Sequence, residues 1–128
     1  MFALSLLGVD ITERQFLVAR SFVQERAPTR YRFTTDDDFV FHGQGNLYFW
    51  YYGTLAMFRV GGDDWLRWNT QMKGTLVPSQ GSNGSWEPIS IYADHAQDSG
   101  DDRVYTTAMN VLALEVYYRY FTPLLKVE

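Results

Sequence analysis

Leu47-Tyr48-Phe49-Trp50-Tyr51-Tyr52-Gly53-Thr54-Leu55-Ala56-Met57-Phe58-Arg59-Val60 is the stretch on which the fold turns. Wound at about 3.6 residues per turn, it leaves almost no polar face, and a helix that is apolar all round is expected to be buried on every side. Asn46 stands before it and Gly61-Gly62 breaks it. Gly62 or Asp63 then caps a helix of another character, with Trp65, Trp68, Met72 and Leu76 on one stripe and Asp64, Arg67, Gln71 and Lys73 outside. That helix ends near Pro78 and Gln80, and a loop rich in Gly, Ser, Asn and Asp runs from Gly81 to Asp102. A last helix follows from about Arg103 to Phe121. Its Val104, Tyr105, Ala108, Met109, Val111, Leu112, Leu114, Val116, Tyr118 and Phe121 again cover nearly the whole circumference. Buried and one-sided helices thus alternate, and two concentric layers of helices account for that pattern.

Towards the N-terminus the signals are weaker. Asp10 and Glu13 have capping-box spacing and predict a helix to about Arg26, ahead of Pro28, with Phe16, Ala19 and Val23 on one face. Tyr31 to Gly45 is expected to be a polar loop. Phe2 to Val9 is too short for a membrane span, lacks the basic start of a signal peptide, and resembles the tail of a helix. Strand alternation is weak throughout, so the expected class is all-α in one domain over residues 1–128.

Composition narrows the function. The 128 residues carry 11 basic and 15 acidic side chains, a net charge of -4 that argues against nucleic-acid and anionic-lipid partners. With no cysteine, disulfide frameworks, thiolate metal sites and cysteine nucleophiles drop out. A soluble, cytoplasmic protein without an integral membrane segment is the default expectation.

Gln80-Gly81-Ser82-Asn83-Gly84-Ser85-Trp86 contains the spacing Gln-x-x-x-Gly-x-Trp, with Leu76 four residues before the glutamine. This resembles the repeat of squalene–hopene and oxidosqualene cyclases. Thr75 stands where the repeat has an aromatic residue, and Lys73-Gly74 comes two residues later than its basic-small pair. Trp50-Tyr51-Tyr52-Gly53-Thr54, Val104-Tyr105-Thr106-Thr107-Ala108 and Leu114-Glu115-Val116-Tyr117-Tyr118-Arg119-Tyr120 resemble the closing repeats of bacterial squalene-cyclase-like proteins. The resemblance spans residues 46–121 best. It implies a partial α/α toroid of the terpenoid cyclase type, in which Gln80 bonds exposed backbone at a helix end, Trp86 lies over it, and Gly84 takes a positive φ.

Residues that could carry chemistry are few. The cyclases that the chain resembles protonate substrate from Asp-x-Asp-Asp; here Thr35-Asp36-Asp37-Asp38 lacks the first acid, and Val40 spoils the Asp-Asp-x-x-Asp alternative. Asp36 to Asp38 are expected to be a solvated loop or an acidic cap. Trp50, Tyr51 and Tyr105 are candidates to line a ligand site, where aromatic faces would favour a cation, against the alternative that they are core. Asp94, His95, Asp98, Asp101 and Asp102 fit no metal-loop pattern and are read as surface, so neither a metal nor a cofactor is expected. Glu115, on an otherwise apolar helix, calls for a cation, and Arg119 at i+4 forms the favoured pair, with Arg59 and Arg103 as alternatives.

A closed ring of this kind needs roughly ten to twelve helices of ordinary length, and this chain supplies four or five. The expectation is a non-catalytic squalene-cyclase-like module, a segment of a larger toroid that binds a protein partner or an isoprenoid-like apolar ligand. Self-association or another protein would complete the ring. The alternative is a subunit or fragment of an isoprenoid cyclase or prenyltransferase-like enzyme with an aromatic-lined cavity.

Overall fold

Gly61 divides the central helical hairpin. Its φ of 73° is open to glycine at little steric cost. There its N–H closes one helix on the Met57 carbonyl (3.0 Å) and its own carbonyl opens the next by accepting from Trp65 N (3.1 Å). In this computed structural model, which describes residues 1–33, 36–89 and 102–121, the elements are helical: α1 (Phe2–Leu6), α2 (Leu17–Gln24), α3 (Asp37–Phe41), α4 (Leu47–Val60), α5 (Gly62–Leu76) and α6 (Asp102–Phe121). Short 3-10 turns at Arg14–Phe16 and Val77–Ser79 precede α2 and follow α5. No strand occurs among the described residues, so the chain is all-α. No described helix is long and apolar enough to cross a membrane.

Contacts sort the helices into two rows. α4 packs against both α1 and α6, while α2 packs against α5, and α5 touches both α4 and α6. The stripe expected on α5 faces this junction: Trp68, Met72 and Leu76 are fully buried. Gln71 and Asp64, expected outside, instead fasten the second row. Gln24 Nε2 donates to Gln71 Oε1 at 2.8 Å, and Arg20 lies 3.7 Å from Asp64.

The expectation of full burial for α4 and α6 is corrected. α4 buries Leu47, Trp50 and the run Gly53–Met57, yet Tyr48 and Tyr52 stand in solvent. Among the described side chains of α6, Thr106, Asn110, Ala113 and Val116 are buried, with Val104, Tyr105, Ala108, Val111 and Tyr118 on exposed positions. A row of helices covered on one flank by α5 leaves its other flank uncovered, whatever the hydropathy of that flank.

Local polar chemistry departs from the expected caps at two places. Asp10 forms an Asx turn rather than a capping box: its Oδ1 accepts from Thr12 N (2.8 Å) and Thr12 Oγ1 (2.6 Å), and Glu13 accepts from the Gln15 side chain. The helix therefore starts later, at Arg14, and passes through a 3-10 turn. The segment 31–45 is not all loop, because Asp36 accepts from Asp38 N and Phe39 N and opens α3. Asn46 caps α4 by accepting from Phe49 N, and Gly62 and Asp63 both fall inside α5, one and two residues after its Gly61 cap.

The chain from Ala27 to Tyr31 is held by side chains. Gln44, buried, donates to Ala27 O (2.9 Å) and accepts from Thr29 N (3.0 Å), and Thr75 Oγ1 donates to Pro28 O. Tyr31 then donates to Glu87 O (2.8 Å) and accepts from Asn110 Nδ2 (2.9 Å), joining this segment to the loop after α5 and to α6. Burial pushes the Tyr31 phenol well above its ordinary range, the Asn110 bond opposes this, and Glu87 adds to it. A raised phenol contributes stability that is complete below about pH 10, the unfolded value, and is lost as pH rises further. We expect the urea midpoint to fall as the pH is raised above about 10, and to fall less in Tyr31→Phe.

Gly53 sits in mid-helix, where glycine costs about 1 kcal/mol relative to alanine. A Cβ there would lie 2.6 Å from the Trp68 ring, so the glycine is the seat of that indole. Gly53→Ala should destabilise the fold by about 1–3 kcal/mol despite its better helix propensity, measured by chemical denaturation.

Candidate functional site: an apolar groove edged by tyrosines

α2 is strongly two-faced, yet none of its residues is buried. Leu17, Val18 and Phe22 are exposed, Val18 by 82%, and Val18, Ala19, Phe22 and Val23 form one wall of an open groove. Met1, Phe2 and Ala3 at α1 form a second wall, and Tyr52, Gly53 and Ala56 of α4 form the floor. The groove has a volume of about 760 Å³ and lies within the size range of small-molecule sites, about 300–1,000 Å³. Its side-chain polar atoms come from Gln15 and the Tyr52 hydroxyl; no carboxylate, imidazole, lysine or arginine side chain lines it.

Tyr52 belongs to a second feature. Its ring lies 4.6 Å from that of Tyr48, one turn earlier, and 5.2 Å from that of Tyr51 in an edge-on arrangement. Tyr48, Tyr52 and Tyr105 are 61%, 41% and 39% exposed. Interaction with the Tyr52 hydroxyl, then the charge Tyr52 would carry, desolvation and the nearby Tyr105 raise the Tyr48 phenol above its ordinary value.

Of the residues expected to line a ligand site, Trp50 does not: it is 1% exposed, and its Nε1 donates to Gly43 O at 2.6 Å. Its ring packs near Tyr31, 6.3 Å between centroids, as part of the core. Tyr51 is half-buried against Tyr52, and Tyr105 is exposed on α6 near Tyr48. Tyr48 and Tyr52 share one face through their i, i+4 spacing, a signal hidden in a run that is apolar all round. The α2 wall had no local signal beyond its amphipathic pattern.

The motif residues form a joint. Gly84 takes φ 83°, and Gln80 Nε2 donates to Gly84 O (2.9 Å), within its own turn. The helix end is served by Trp86 instead, whose Nε1 donates to the carbonyl of Leu76, the last residue of α5 (2.9 Å). Trp86 N donates to Thr107 Oγ1 on α6 at 3.1 Å, so this one residue ties α5 to α6. Gln80 is exposed, whereas Leu76 and Trp86 are buried.

Glu115 is half-buried and engaged by a neighbour; the Arg119 side chain lies outside the described residues. The alternative cations are used elsewhere, Arg59 on the Ser5 carbonyl and hydroxyl of α1 and Arg103 on Glu87 at 2.7 Å. Asp94, His95, Asp98 and Asp101, and the Asp102 side chain, also lie outside the described residues, among which no metal-binding cluster occurs. Asp36 to Asp38 cap and open α3.

Trp86→Ala should lower stability by about 3–5 kcal/mol, the usual cost of emptying a buried tryptophan site. Trp86→Phe keeps most of the packing but strands the Leu76 carbonyl, and should cost about 1–3 kcal/mol in the same denaturation measurement.

No protein-family model, curated protein or solved structure matches the chain.

Proposed function

We propose that the chain is a non-catalytic α/α helical module of the squalene-cyclase-like kind, a partial toroid that holds an isoprenoid-like apolar ligand. The observation that carries this is the groove between α1, α2 and α4: about 760 Å³, walled by aliphatic and aromatic side chains, with no ionisable side chain other than the Tyr52 phenol. Water in such a groove makes few hydrogen bonds, and its displacement by a hydrocarbon is favourable by about 25 cal/mol per Å² of apolar surface covered.

The arrangement of helices supports the same reading. α1, α4 and α6 form one row and α2 and α5 the other, as alternating inner and outer helices would. The joint made by Leu76, Gln80, Gly84 and Trp86 falls between an outer and an inner helix. Leu6, Leu7, Val104 and Tyr118 lie exposed, which favours a further copy or another protein alongside these rows.

The test uses Nile red, a neutral apolar fluorophore, with the whole chain. We expect saturable binding that an alkane displaces. Val18→Asp and Phe22→Asp, which place a charge at exposed positions on the groove wall, should weaken binding at least tenfold at an unchanged melting temperature. Binding equal to the unsubstituted chain in both variants rejects the groove as the site.

A further inference from the structure

Tyr52 belongs at once to the floor of the groove and to the tyrosine cluster on α4, so the apolar surface ends at phenol hydroxyls. We infer that the site takes a neutral amphiphile, its apolar tail in the groove and a hydroxyl or carbonyl head among the hydroxyls of Tyr48, Tyr52 and Tyr105. This rests on the apolar-ligand reading above and names the chemistry of the ligand's other end.

The ring packing and the groove lining select a neutral head. The rings of Tyr48, Tyr52 and Tyr51 pack on one another at 4.6 and 5.2 Å, so they do not form an open aromatic box that encloses a cation. No lining side chain is cationic; the positive group of the lining is the Met1 α-ammonium on the α1 wall, whereas the phenol hydroxyls belong to α4 and α6. Arg26, which touches a groove residue, lies over the Phe22 ring 3.6 Å from its centroid, and its Nη1 donates to Phe22 O. The two neighbouring phenols carry hydroxyl donors and lone pairs, enough to donate to and accept from an alcohol. Their exposure of 61% and 41% keeps those groups within reach.

The experiment is displacement of Nile red by decane, 1-decanol and decanoate, from the unsubstituted chain and from the Tyr48→Phe/Tyr52→Phe double variant. Phenylalanine keeps the rings and removes only the hydroxyls. We expect 1-decanol to lose about five- to tenfold in affinity in the double variant, the worth of one neutral hydrogen bond, while decane is unchanged. Tyr105→Phe should weaken 1-decanol in the same direction. Equal response of decane and 1-decanol to the double substitution, or decanoate as the tightest of the three, overturns the neutral head and leaves the apolar groove standing. Displacement by none of the three overturns both readings.

Discussion

The contact between Gly53 and Trp68 is the constraint on which the other helices depend. An indole seated where a Cβ would come within 2.6 Å draws α4 and α5 together at a distance that larger residues forbid. Its one polar atom is satisfied in the same place, because Trp68 Nε1 donates to Thr54 Oγ1 (2.9 Å) and that hydroxyl donates back to Trp50 O (2.7 Å). A buried polar group left without such a partner would cost about 1–3 kcal/mol. With α4 and α5 set, Trp50, Met57, Met72 and Leu76 close around them as one core with Leu47, Ile89 and Ala113.

Two further tryptophans extend the same device. Trp50 donates to Gly43 O and Trp86 to Leu76 O, so each of the three large buried indoles lies in the core with its N–H bonded. The tyrosines divide differently. Tyr31 is drawn inward by Glu87 O and Asn110, whereas Tyr48, Tyr52 and Tyr105 remain at the surface beside an apolar groove. Indoles carry a single donor that one carbonyl satisfies, while a phenol both donates and accepts and loses more when sealed from water.

Much of this architecture was legible in the residues. The α5 stripe of Trp68, Met72 and Leu76, the break at Gly61-Gly62 and the positive φ of Gly84 follow from periodicity and glycine chemistry, which are local properties. Trp50 was harder to place, since an aromatic on an all-apolar helix faces either core or ligand. The neighbour that settled it, Gly43, is seven residues away in a loop. Asp10 shows the limit at short range: a capping box and an Asx turn share the same residue type, and Thr12, two positions on, decided between them. Gln44 had no sequence signal at all, because its bonds reach back to Ala27 and Thr29.

The amino-acid sequence by itself determined that the chain is helical, where its two longest amphipathic and apolar runs break, and that it lacks thiol chemistry. Those are consequences of spacing and residue type. Only the tertiary structure decided which flank of α4 and α6 is covered, because a helix apolar on all sides has no intrinsic inside. The side on which α5 docks sends Trp50 into the core and leaves Tyr48 and Tyr52 in solvent. In the same way α2 carries an apolar face in its sequence, but whether that face is core or groove depends on how α1 and α4 stand beside it.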